Sequence, residues 1–73
     1  MKTEIHIGLL IRKKMKDERR SVGWLANQLN CDRSNIYKLY KKSNMDIIQL
    51  VRICDIFDHD FFNDISIIVF EQH

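Results

Sequence analysis

The segment from residue 22 to residue 41, VGWLANQLNCDRSNIYKLYK, constrains the fold most, because it contains two helical patterns separated by only three residues. Each pattern places apolar residues on one helix face: Leu25, Ala26 and Leu29 in the first, Ile36 and Leu39 in the second. Asn30 tolerates a left-handed turn conformation, and Asp32 is a good N-cap. The segment therefore predicts a helix of about residues 22–29, a tight turn, and a helix of about residues 33–41.

The outer face of the second of these helices is polar and basic. It carries Arg33, Ser34, Asn35, Tyr37, Lys38, Lys41 and Lys42. A helix with an apolar back and a basic, hydrogen-bonding front fits the major groove of double-stranded DNA, where the base edges present donors and acceptors. The pattern predicts a helix-turn-helix that binds DNA.

The net charge of +2 conceals a division along the chain. Residues 1–42 hold 11 Lys and Arg against 4 Asp and Glu, a net charge of +7. Residues 43–73 hold 1 against 6, a net charge of −5. A basic half that contains the candidate recognition helix is typical of a phosphate-binding surface, and we expect the acidic half to face away from DNA.

The remainder of the chain also favours helices, because it has no proline and only two glycines in 73 residues. A first helix of about residues 4–18 follows Thr3 as its cap, and Ser21 caps the helix that starts at residue 22. The break at Ser43-Asn44 offers a further N-cap. The predicted fold is a single all-α domain of five helices.

The two last helices differ in how clearly the sequence defines them. The fourth, of about residues 46–57, has an apolar set that would close the core: Ile47, Leu50, Val51, Ile53, Cys54 and Phe57. The fifth is predicted to be short and to contain Phe61, Phe62 and Ile65.

The C-terminal residues are unusually apolar for a surface segment. We predict a DNA-binding domain over residues 1–65 and an apolar tail over residues 66–73. The tail is too apolar to lie alone in water, so it either pairs with a second copy as a strand, folds back on its own core, or leads into a further domain. We favour self-association, through an interface that contains Phe61, Phe62, Ile65, Ile67, Ile68, Val69 and Phe70.

Several classes of function are disfavoured by composition and spacing. Cys31 and Cys54 lie 23 residues apart without a CxxC motif, so we predict two reduced thiols and no metal site. No phosphate loop or nucleophile–base spacing indicates an enzyme, and no cofactor is expected. The absence of a signal peptide and of an apolar run of about 20 residues predicts a cytoplasmic protein that is not inserted in a membrane.

Residues 7–62 resemble the Cro and phage-lambda-repressor type of helix-turn-helix regulator, the XRE family. The resemblance rests on Ile7-Gly8 and Ile11, on Ser21 before Leu25-Ala26 and Leu29, on CDRS at residues 31–34 before Ile36 and Leu39, and on Ile47, Leu50 and Phe57. It implies a five-helix domain that binds operator DNA, generally as a dimer, with the third helix in the major groove. Asn30 stands where many members have glycine.

The resemblance also implies how DNA is contacted. The base-reading candidates are Arg33, Ser34 and Lys38, followed by Asn35 and Tyr37. The phosphate candidates are Ser21, Val22, Gly23, Lys41, Lys42, Ser43 and Asn44. Members often pair an Arg of the first helix with a Glu at the end of the third; Met15 and Tyr40 stand at these positions, which predicts an apolar contact between them.

Three functions remain open at this point. The leading prediction is a sequence-specific transcriptional regulator, in particular a repressor, that acts on double-stranded DNA as a homodimer. The alternatives are a DNA-tethering antitoxin and a protein-interaction adaptor, either of which would use the apolar tail to hold a protein partner.

Overall fold

The structure is a computed structural model that describes residues 4–71, in which every regular element is an α-helix. The helices are α1 (Ile7–Asp17), α2 (Val22–Leu29), α3 (Arg33–Tyr40), α4 (Ile47–Phe57) and α5 (Phe61–Glu71). This order confirms the prediction of an all-α fold with five helices.

The described residues divide into two units. Residues His6–Asn44 contain α1, α2 and α3 and are called the basic unit here. Residues 45–71, grouped with residues 4–5, contain α4 and α5 and are called the acidic unit.

The first helix begins later than the sequence predicts. Its N-cap is His6, whose Nδ1 accepts a hydrogen bond of 3.2 Å from the backbone N–H of Leu9. The predicted cap, Thr3, lies outside the described residues. An imidazole nitrogen that accepts a hydrogen bond can cap a helix as a hydroxyl oxygen does. This cap was not predicted because the usual N-cap residues are Ser, Thr, Asp and Asn.

The turn between α2 and α3 has the predicted backbone. Asn30 ends α2 in the left-handed conformation, with φ 55° and ψ 50°. Ser21 caps α2, since its Oγ accepts a hydrogen bond of 3.0 Å from the N–H of Trp24. Asp32 stands at the N-cap position of α3, but its side chain makes no capping hydrogen bond.

The start of α1 is joined to the chain that follows α3. The N–H groups of Ile7 and Gly8 donate to the carbonyl oxygens of Ser43 and Lys42, over 3.2 and 2.8 Å. Gly8 is buried, and a Cβ atom on it would lie 2.5 Å from the Tyr40 carbonyl oxygen and closer still to that of Leu39. Only glycine lets the two backbones approach in this way.

The basic unit buries the apolar stripes that define its helices. Because α3 contacts both α1 and α2, its inward stripe lies at the centre of the unit. The buried residues are Gly8, Ile11 and Met15 of α1, Leu25 and Ala26 of α2, and Ile36 and Leu39 of α3. These three helices therefore fix the orientation of the outer face of α3.

The fourth helix departs from its prediction in two respects. Its N-cap is Asp46, whose carboxylate accepts from the N–H of Ile48 over 2.7 Å, rather than Ser43 or Asn44. Of the six residues predicted to close the core, Leu50, Ile53 and Phe57 are buried, Cys54 is half-buried, and Ile47 and Val51 are exposed. The inward stripe is narrower than the apolar pattern suggests.

The fifth helix is longer than predicted. It runs from Phe61 to Glu71 without a break, so residues 66–71 are helical and do not form the strand considered above. Asp60 caps it by accepting from the N–H of Asn63 over 3.0 Å. Near its start the rings of Phe57 and Phe61 meet edge to face, with centroids 5.8 Å apart.

Candidate nucleic-acid interface

The outward face of α3 presents every residue predicted to read bases. Ile36 and Leu39 are 1% and 3% exposed, which turns the opposite face of the helix to solvent. The exposed residues are Arg33, Ser34, Asn35, Tyr37 and Lys38. The packing of α3 thus leaves a continuous polar strip available to a duplex.

Within that strip, Arg33 leans toward the start of α2. A Cβ atom on Gly23 would lie 2.8 Å from one terminal nitrogen of the Arg33 guanidinium and 3.2 Å from its central carbon. The guanidinium therefore occupies the space that a larger residue at position 23 would fill. Sequence reasoning selected both residues but did not predict that they meet, because the contact depends on how α2 and α3 cross.

The N-terminus of α2 lies beside this guanidinium. Ser21 Oγ accepts a hydrogen bond from the N–H of Trp24. The N–H groups of Val22 and Gly23 also belong to the first turn of α2, where N–H groups have no acceptor within the helix. The Arg20 guanidinium stacks on the Trp24 ring, 4.4 Å from its centroid. A negatively charged group placed here would meet amide donors and positive charge together.

The four phosphate candidates after α3 are all exposed: Lys41, Lys42, Ser43 and Asn44. Their backbone is held in place, since the carbonyl groups of Lys42 and Ser43 accept from the start of α1. A fixed backbone with exposed cationic and polar side chains is suited to binding a phosphate strand.

A neighbouring surface contains residues that the sequence analysis did not select. The Arg12 guanidinium carbon lies 5.9 Å from the centroid of the Tyr40 ring, and the rings of Tyr37 and Tyr40 are perpendicular, with centroids 6.3 Å apart. Burial raises the pKa of the Tyr40 phenol; Arg12 acts in the opposite direction, and Tyr37 adds to the rise. The contact predicted between Met15 and Tyr40 stays a prediction, whereas Arg12 is seen to face this ring.

The residues predicted to form a dimer interface are not all accessible. Phe61 is 1% exposed and contacts Phe57, so its inclusion in a surface interface is corrected: it is a core residue. Phe62, Ile67 and Phe70 are exposed, and Ile65, Ile68 and Val69 are half-buried. The acidic unit exposes three further apolar residues on α4, namely Ile47, Ile48 and Val51.

Two histidines have defined partners among the described residues. His6 caps α1, and Nε2 of His59 lies 2.6 Å from Oδ2 of Asp64. His73 lies outside the described residues. Both cysteines are free thiols and half-buried.

Two further observations concern residues 4–71. They contain no group of three or more His, Cys, Asp or Glu side chains arranged to hold a metal ion. None of their helices has the length and apolarity that a membrane crossing requires.

Comparison with known proteins identifies a domain family. No curated protein and no solved structure matches the chain. The family model of the Cro/C1-type HTH DNA-binding domain matches residues 11–71, which include α2, α3 and the turn between them. The chain therefore belongs to the Cro/C1-type family of helix-turn-helix DNA-binding domains.

Proposed function

We propose that this DNA-binding domain is a sequence-specific transcriptional regulator, in particular a repressor, that acts in the cytoplasm on operator DNA. The observation that carries the proposal is the exposed strip of α3, in which Arg33, Ser34 and Lys38 face solvent from a helix whose other face is fixed by packing. Side chains in this position on a recognition helix contact base edges in the major groove.

Arg33 has the largest part in base reading in this proposal. A guanidinium can donate two hydrogen bonds to O6 and N7 of guanine, which distinguishes this base from the other three. Its position against Gly23 also brings it near the first turn of α2, where a phosphate would bind. Arg33 would therefore contact a base in the groove from a side chain that the start of α2 helps to orient.

The remaining contacts hold the helix in register. The N–H groups of Val22 and Gly23 with the Ser21 hydroxyl would bind one phosphate. Lys41, Lys42, Ser43 and Asn44 would bind others, and Asn35 and Tyr37 would make secondary contacts in the groove. The phosphate contacts among these supply affinity but carry no direct sequence information.

Sequence-specific binding to an operator requires more contact area with DNA than one domain of this size supplies. We infer a homodimer in which the exposed apolar side chains of the acidic unit are covered by a second copy. Phe62, Ile67 and Phe70 are the central candidates, with Ile65, Ile68 and Val69 beside them. Two half-sites in a dimer complex would lie about 34–36 Å apart.

Capture of genomic fragments on the purified protein, at near-physiological salt, tests the proposal. A few enriched sites that share a two-fold motif would support a dimeric, sequence-specific regulator. Uniform recovery of fragments that disappears as salt rises would contradict sequence reading and leave only phosphate binding.

The base-reading role of Arg33 has a separate test. On the recovered site, Arg33→Ala should cost about 1–3 kcal/mol and relax the preference at one base pair. Arg52→Ala, an exposed arginine in the acidic unit, is the matched control and should leave the preference intact. Equal losses on specific and random duplexes would assign Arg33 to phosphate instead.

A second candidate function is favoured by the same exposed apolar residues. If they bind a different protein, the domain would act as the DNA-tethering antitoxin of a two-protein complex or as an adaptor. Co-expression with the neighbouring gene products, followed by mass measurement of the purified species, separates these possibilities. A stable complex with a second protein would favour them, and a homodimer alone would favour the regulator.

A further inference from the structure

A groove between α1 and α3 contains four residues that the contacts proposed so far do not use: His6, Leu9, Arg12 and Tyr40. It encloses about 700 Å³ and is lined by His6, Leu9, Arg12, Tyr37, Tyr40 and Lys41, and is called the flanking groove below. These lining residues include two cationic side chains, two phenol rings and an exposed leucine, and no carboxylate among them neutralises the charge. Such a lining suits a ligand that carries negative charge beside an apolar ring.

The two walls of the flanking groove are fixed to each other. The N–H groups of Ile7 and Gly8 bind the carbonyl groups of Ser43 and Lys42, and the absent side chain at Gly8 brings α1 against the end of α3. A rigid groove holds its polar groups ready for a ligand, so less conformational entropy is lost on binding.

The polar groups in the flanking groove are hydrogen-bond donors. Because His6 Nδ1 accepts from Leu9, the neutral imidazole carries its proton on Nε2. Burial raises the pKa of Tyr40, so its phenol keeps its proton at neutral pH. Arg12 and Lys41 are charged donors, and the Arg12 guanidinium lies over the Tyr40 ring. Four donors without a competing carboxylate favour an oxyanion.

The flanking groove is continuous with the face that meets DNA. Two exposed residues belong both to its lining and to the surface proposed to meet DNA: Tyr37 on the outward face of α3, and Lys41 directly after α3. A duplex bound to α3 would therefore bring its sugar–phosphate backbone past the opening, with alternating phosphate oxygens and apolar sugar faces. An acidic peptide or an aromatic acid also fits the charge of the groove. The DNA backbone is favoured because a duplex bound to α3 would already lie beside the opening.

We propose that the flanking groove binds a phosphodiester of the strand next to the bases that α3 reads. Arg12 and Lys41 bind the phosphate oxygens, Tyr40 adds a neutral donor, and Leu9 and Tyr37 contact the adjacent sugar. This inference rests on the proposed function, because it requires α3 to lie on a duplex. It adds α1, and Arg12 in particular, to a surface otherwise built from α2, α3 and the residues after α3.

The test compares Arg12→Gln with Lys13→Gln, which removes one charge from an exposed residue of α1 outside the lining. On a duplex of about 30 bp that covers two half-sites and their flanks, Arg12→Gln should weaken binding about tenfold at low salt. It should also lower the slope of log K against log salt by about one unit. Lys13→Gln should change both quantities far less, and Arg12→Lys should restore most of the slope.

A phosphate-by-phosphate experiment locates the contact. Neutral methylphosphonates replace single phosphates in the flank of the duplex, and each is titrated with both proteins. One position should weaken the unmodified protein and leave Arg12→Gln unaffected, since the variant has already lost that contact. Loss of the same size in both proteins at every position would overturn the proposal.

The outcomes distinguish this proposal from the function on which it rests. If the unmodified protein binds DNA and loses affinity on Lys42→Ala, but Arg12→Gln matches Lys13→Gln, only the flanking groove is excluded. If the unmodified protein has no affinity for any duplex, the proposed function fails as well. Thermal unfolding of Arg12→Gln and Arg12→Lys shows whether the cation over Tyr40 is needed for folding. The proposed contact is also overturned if Arg12→Gln loses DNA binding only in proportion to its unfolded fraction and no methylphosphonate position has a specific effect. In that outcome the folded fractions of Lys13→Gln and Arg12→Lys bind DNA fully.

Discussion

The basic and acidic units differ in what they present to solvent. The basic unit holds ten Lys and Arg against three Asp and Glu, a net charge of +7, and its outward face on α3 is polar. Residues 45–71 hold one Arg against six Asp and Glu, a net charge of −5, and expose six large apolar side chains on α4 and α5. One unit is suited to a phosphate strand and the other to an apolar partner surface.

Each unit is also stabilised internally by a different kind of interaction. In the basic unit, backbone meets backbone where the first N–H groups of α1 bind the carbonyl groups after α3. In the acidic unit, a ring pair joins α4 to α5, and the His59–Asp64 contact closes the turn between them. The backbone contact is the less tolerant of the two, because no side-chain rotation can relieve a clash there.

The largest expected effect follows from this difference. Gly8→Ala would place a methyl group against the carbonyl groups of Leu39 and Tyr40, so either the helices separate or the hydrogen bonds to residues 42 and 43 break. We expect a loss of about 3 kcal/mol in the free energy of unfolding, at the upper end for an overpacked site. Urea unfolding followed by circular dichroism measures it.

Gly23→Ala is the control for that experiment. Its added methyl would meet the tip of the flexible Arg33 side chain rather than backbone, so the fold should keep its stability. Equal destabilisation by both substitutions would show that close backbone approach does not determine the effect, because helix propensity favours alanine over glycine at both positions. The backbone contact would then no longer make the basic unit the less tolerant of the two.

The second effect concerns the apolar surface of the acidic unit. Ile48 and Phe70 are 70% and 71% exposed, so replacing either by Lys should change the stability of a single copy little. If a second copy covers them, each substitution should weaken the dimer by about 2 kcal/mol, since one large apolar side chain is left out of the interface. Analytical ultracentrifugation over a concentration series measures the dissociation constant.

Leu9→Lys is the matched control for the apolar surface. Leu9 is 52% exposed but belongs to the basic unit, so its replacement should leave the dimer unchanged. If the protein sediments as a monomer at all concentrations, with or without these substitutions, the homodimer is excluded and a different protein partner is favoured.

The third effect isolates the contact between Arg33 and α2. Gly23→Ala should displace the guanidinium and weaken binding to the recovered site by about 1 kcal/mol, within the range of one specific contact. In the Arg33→Ala background the same substitution should have almost no effect, because nothing is left to displace. Additive losses in this double-mutant cycle would mean that the added methyl group obstructs DNA directly, independently of Arg33.

The parts of the fold that sequence predicts are those that depend on neighbouring residues. The bounds of α2, the left-handed Asn30 and the Ser21 cap follow from local backbone preferences and are confirmed. The cap of α1 and the need for glycine at position 8 depend on the geometry of an imidazole and on the end of α3, 32 or so residues away. A single sequence contains no local signal for the second of these.

The fifth helix illustrates a different limit. The four β-branched residues at positions 65, 67, 68 and 69 each lower intrinsic helix propensity by only a few tenths of a kcal/mol, which the Asp60 cap and helix continuity outweigh. The pattern was therefore over-interpreted as a change of element. Arg12 was missed for another reason: a lone arginine on a helix becomes informative only when the fold brings Tyr40 and Lys41 beside it.

The smallest effect tests the electrostatic half of the comparison. Lys42→Ala and Arg52→Ala each remove one exposed positive charge, the first from the basic unit and the second from the acidic unit. If phosphates contact only the basic unit, Lys42→Ala should lower the slope of log K against log salt by about one unit, and Arg52→Ala should leave it unchanged. Lys42→Ala should weaken binding to specific and random duplexes by the same factor, because a phosphate contact carries no sequence information. Fluorescence anisotropy between about 50 and 200 mM salt resolves a change of this size. Equal slope changes would mean that net charge alone attracts DNA, and the division of the chain into a phosphate-binding unit and an apolar unit would then have no consequence for binding.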